Sequence, residues 1–136
     1  MKNKILSVAL VIFSPMIYYY LTIFFRLTVS YQILHCFASK STALFTAIFL
    51  LTDAACAIVT AFVVALPSGY LAGSKPLSIV LILIVAMLGF PVIAFFTQTT
   101  QSNLVIIDFI WQCVSLILSV YYFVNIGYRR AVGRSG

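Results

Sequence analysis

Only two side chains in this chain of 136 residues are acidic, Asp53 and Asp108, and both lie inside long apolar runs. A carboxylate near the middle of a bilayer costs about 2.5–3.5 kcal/mol on insertion scales, so each needs a proton, water or a partner. The run that holds Asp108 also carries a polar line. Asp108, Gln112, Ser115, Ser119 and Tyr122 follow one another at steps of 4, 3, 4 and 3, which keeps them on one face of an α-helix. The other faces of 104–126 are largely Ile, Leu, Val and Phe. In the run that holds Asp53, Thr46, Asp53 and Thr60 step by seven, while Asp53, Ala57, Ala61 and Ala65 step by four. A row of small residues lets another helix approach closely, so the face bearing Asp53 is expected to be packed.

Three chemistries compete for these acids. The first is structural: Asp108 lies about 6 Å below the outer end of its run, at 1.5 Å per residue. Arg26 closes the first run on the same side, so an interfacial ion pair between Arg26 and Asp108 is expected. Asp53, about 16 Å deep by the same count, is left without a basic residue at its level. The second is a polar route, with Asp108 at its mouth and Asp53, Gln112, Ser115, Thr60 and Ser119 as lining or helix contact. The third is catalysis by a pair of membrane aspartates, the plan of lipoprotein signal peptidases and other intramembrane aspartyl proteases. Leu51-Thr52-Asp53-Ala54-Ala55 and Ile106-Ile107-Asp108-Phe109-Ile110 hold neither a Gly-x-Gly-Asp motif nor an Asn-containing signature. The two depths also differ by about 10 Å on ideal helices, whereas a dyad sharing a proton needs oxygens about 3 Å apart. We therefore expect no enzyme.

The elements that must position these residues follow from composition. With 64% hydrophobic and 7% charged residues, against about 25% charged in soluble domains, the chain is read as an all-α polytopic membrane protein. A span needs roughly 20 apolar residues, which leads to one membrane domain over 1–136: a bundle of four transmembrane helices at about 5–25, 42–66, 77–96 and 104–126. Pro15, Gly89 and Pro91 should bend their spans, and Pro67-Ser68-Gly69 should end the second. Leu27, Tyr31, Leu34 and Ala38 share a helical face, which suggests an interfacial helix over 27–38. It holds His35, the only histidine, read as an interface residue. Lys2, Lys4, Lys75, Arg129, Arg130 and Arg134 fall at one end and Arg26 and Lys40 at the other, so the positive-inside rule places both termini in the cytoplasm.

The net charge of +6 is spread over helix ends rather than gathered in a patch, which fits lipid headgroups and not nucleic acid. Cys36, Cys56 and Cys113 lack paired spacing, and no phosphate loop or ligand set occurs. We expect no disulfide, no metal and no cofactor. Asp53 with Thr60 and Asp108 with Ser115 share one spacing, as a duplicated two-helix unit would, but a match this short recurs by chance.

Two function classes remain. One is a small non-enzymatic membrane protein acting as an intramembrane interaction, accessory or immunity-type subunit. The other is a small oligomeric proton- or cation-coupled transporter or channel that uses Asp53 and the polar face of the fourth span. Four helices enclose little space, so the transporter would need a homo-oligomer, while the interaction subunit would belong to a larger membrane complex; both lie in the lipid bilayer, at a plasma membrane of the bacterial inner-membrane kind.

Overall fold

The computed structural model describes residues 2–37, 42–73, 75–99 and 102–134. Within them the chain is all-helical, without strands: α1 (Lys2–Phe37), α2 (Thr42–Thr60), a π-helical turn (Ala61–Ala65), α3 (Leu66–Tyr70), α4 (Pro76–Thr97) and α5 (Asn103–Arg134). α2, the π turn and α3 run on as one rod, so four helices are long and apolar enough to cross a membrane.

The residues expected as a separate interfacial helix, 27–38, instead continue α1 as far as Phe37. No Gly or Pro stands between Met16 and Phe37 to stop it. Ala38 and Lys40 lie outside the described residues, as does the side chain of His35. The break expected at Pro67 is also absent. The π turn shifts the bonding register, with the Leu66 N–H reaching the Ala61 carbonyl, and Ser68 Oγ donates to the Val64 carbonyl at 2.7 Å. Pro67 thus stands in the first turn of α3, where a missing N–H is tolerated, and the π turn before it carries the rod through. Pro15 lies inside its helix: it lacks the N–H that would reach the Val11 carbonyl, and Ser14 Oγ donates there at 2.8 Å. The last helix passes the expected end at 126 and runs to Arg134.

Around the bundle the neighbours are α1 with α2, α2 and α3 with α5, α5 with α4, and α4 with α1, so α1 and α5 stand on a diagonal. The core contains Tyr18, Ala57, Ala61, Val64, Leu83, Met87, Leu116 and Val120. α3 and α5 cross at two glycines. A Cβ on Gly69 would run into the backbone of Val124, and one on Gly127 into the Leu66 carbonyl, so nothing larger than glycine allows this approach.

Candidate functional site

The register of the first hairpin builds the site. Arg26 lies eleven residues before the end of α1 at Phe37, and Asp53 lies eleven residues after the start of α2 at Thr42. In an antiparallel helical pair, residues equidistant from the turn stand level, so Arg26 faces Asp53 about 16 Å below the hairpin tip. The second hairpin is shorter at that end: Asp108 is five residues into α5, about 8 Å. The ends of α1 and α2 therefore extend past the start of α5, and the two acids that depth counting had separated come to one level. This removes the depth argument against an aspartate dyad and leaves the missing motif as the ground for expecting no enzyme.

Arg26 bridges both. Its Nε donates to Asp53 Oδ1 at 3.0 Å and its Nη2 to Asp53 Oδ2 at 2.9 Å, the bidentate fork in which guanidinium and carboxylate geometries match. The same Nη2 lies 3.0 Å from Asp108 Oδ2, which also accepts from Gln112 Nε2 at 3.0 Å. This corrects the reading that left Asp53 without a cation: it had ended the first span at Arg26, whereas α1 carries that residue well inside a helix. Asp53 is 1% exposed, and the side chains of Arg26 and Asp108 are 30% and 21% exposed, so the acid taken deepest from water is the one with two charge-assisted bonds. Phe49 lies beneath the guanidinium, 4.6 Å from Cζ to ring centroid, within cation–π range.

The cluster ties three helices together and crosses the bundle's diagonal. It also carries two carboxylates to one guanidinium, an excess of one negative charge when all are ionised. Asp108 Oδ1 is buried and without a hydrogen-bond partner among the described residues.

Arg26 and Asp108 open onto a cleft of about 390 Å³ between α2 and α5, walled by Phe45, Thr46, Phe49, Leu50, Leu104 and Ile107. A smaller space of about 50 Å³ lies on the α4 side, against Pro91, Phe95, Gln98, Phe109 and Gln112. Trp111 ties α5 to α2 beside the cleft, its Nε1 donating to the Leu50 carbonyl at 2.8 Å. Neither Trp111 nor Phe49 is marked as functional by the sequence. The i, i+4 spacing of Asp108 and Gln112 is the one local signal for their contact.

The remaining residues of the expected polar route do not join the cluster. Thr60 is buried, and its hydroxyl donates to the Cys56 carbonyl of its own helix at 2.7 Å. Ser115 and Ser119 are half-buried and Tyr122 is exposed. The buried line of α5 is Gln112, Leu116, Val120, Val124 and Gly127. At 3.6 residues per turn it is centred about 100° around the helix from the polar line, and the two share only Gln112. Beyond the cluster the buried face of α2, the π turn and α5 continues as Ala57, Ala61, Val64, Leu116 and Val120. No protein-family model, curated protein or solved structure matches the chain.

Proposed function

We propose that the protein is a non-enzymatic integral membrane subunit that acts by intramembrane contact, as an accessory or immunity-type chain does. The cleft between α2 and α5 is the contact site. One observation carries this: the charges within the spans meet in a single cluster that locks three helices, yet Arg26 and Asp108 stay partly open at the foot of an apolar cleft. A neighbouring transmembrane helix set against Phe45, Leu50, Leu104 and Ile107 would reach both a charged donor and a carboxylate, and polar groups inside a membrane favour such contacts.

In this reading both termini are cytoplasmic, because six of the eight Lys and Arg residues gather at the end of the bundle away from the cluster. The compartment is a bacterial inner membrane. Site-specific photo-crosslinking in intact membranes tests the contact. A probe at Phe45 or Ile107 should capture a second polypeptide, whereas one at Val85, 73% exposed on α4, should capture none; equal capture at all three positions refutes the assignment.

A second reading, a proton- or cation-coupled oligomeric transporter, is favoured by the excess negative charge and by the unpartnered Asp108 Oδ1. A proton or cation entering from the cleft would balance the cluster. Proteoliposome flux that Asp108→Asn abolishes, without unfolding the protein, would select this reading over the first.

A further inference from the structure

The opposite end of the bundle holds a second open space, a groove of about 800 Å³ lined by Leu6, Leu66, Tyr70, Leu71, Arg130 and Arg134 among others. Its floor is apolar and comes from three elements, α1, α3 and α5. Its charge comes from two exposed arginines one helical turn apart, and like charges at i, i+4 repel unless an anion lies between them. The chain cannot supply that anion from a side chain. It has two acidic residues, and Arg26 holds both at the far end. Arg130 lies about 40 Å along α5 from Asn103, past a hydrocarbon layer about 30 Å thick, which sets the guanidinium groups among headgroups and the groove's apolar floor beside the acyl chains.

We propose that this groove is a binding site for one anionic phospholipid, its phosphate held between Arg130 and Arg134 and an acyl chain laid against Leu6, Leu66 and Leu71. Arginine suits the task because its planar fork meets phosphate oxygens in pairs. The close crossing at Gly127 shapes the floor: α5 lies against the α3 backbone there, and Arg130 and Arg134, about one and two turns further on, line the groove.

Native mass spectrometry of the full chain, released from nanodiscs of mixed phosphatidylglycerol and phosphatidylcholine, tests the site. The wild type should retain one phosphatidylglycerol in preference to phosphatidylcholine, and R130Q/R134Q should lose that preference at about fivefold per arginine. R130K/R134K, which keeps the charge but not the paired donors, should retain only part of it, and K75Q, at the same end but outside the groove, should behave as the wild type. Inorganic phosphate should not displace the lipid. The proposal is overturned if R130Q/R134Q keeps the full preference while remaining folded. It is equally overturned if K75Q weakens binding as much as the double variant, which makes the effect one of general surface charge, or if inorganic phosphate displaces the lipid, which makes it a soluble-anion site.

Discussion

Breaking the Arg26 bridge one partner at a time should produce unequal losses that do not add. Asp53→Leu removes the acid bonded twice to Arg26, but the guanidinium keeps Asp108 at 3.0 Å and is 30% exposed. The loss is therefore expected near the low end for a broken buried pair, about 3 kcal/mol. Arg26→Met leaves two carboxylates that had approached the same nitrogen at 2.9 and 3.0 Å, one of them fully buried, and should cost about 5 kcal/mol. In Arg26→Met with Asp53→Leu the deep charge is gone and Asp108 keeps its bond from Gln112, so the double variant should be more stable than Arg26→Met alone. The coupling energy should then exceed about 3 kcal/mol, the amount by which the double variant falls short of the summed single losses. Asp53→Asn should also destabilise, since an amide nitrogen would face the Arg26 donors. Reversible unfolding in mixed micelles of mild detergent and dodecyl sulfate, followed by far-UV circular dichroism, measures all four. Additive single losses, or an Asp53→Leu loss within the about 0–1 kcal/mol of a surface pair, would refute the bridge.

Three further outcomes follow from the packing. Gly127→Ala should cost about 1–3 kcal/mol by overpacking against the Leu66 backbone, whereas Gly89→Ala, where a methyl meets open space, should stabilise by about 0.4–1 kcal/mol in the same unfolding assay. Ser14→Ala should cost about 1 kcal/mol, because it strips the Val11 carbonyl of the hydroxyl that replaces the missing proline N–H; Thr at this position should restore it. Phe49→Leu keeps the volume roughly but loses the ring under Arg26, and should cost about 1 kcal/mol in the wild type and almost nothing in the Arg26→Met background.

The four spans and the packed face of α2 were legible because each rests on local signals. Apolar runs of span length mark the helices, and the four-residue spacing of Asp53, Ala57, Ala61 and Ala65 marks a close-packing row, all of which is buried. The site was legible only in its members. Both acids, Gln112 and Arg26 stood out as polar groups in apolar runs, but their meeting depends on how far each hairpin projects, and that is set by where α1 stops. Ending α1 at a charged residue, because charges usually mark span ends, shifted Arg26 out of register with Asp53. Counting equal distances from the turn at Phe37 and Thr42 would have paired them. Proline misled in the same way at Pro67, where a π turn precedes it and the proline falls in the first turn of the helix that follows. The polar line of α5 is a true periodicity, but it is only the margin of the face that packs, and no local pattern tells which of two adjacent stripes turns inward.

The measurement that bears most directly on the proposed role is the native mass of the assembly extracted in lipid, with every co-purifying chain identified. An interaction subunit should emerge with a stoichiometric foreign membrane chain that is lost when Leu50→Arg blocks the cleft beside Arg26. A homo-oligomer with no foreign chain, unchanged by Leu50→Arg, would contradict it.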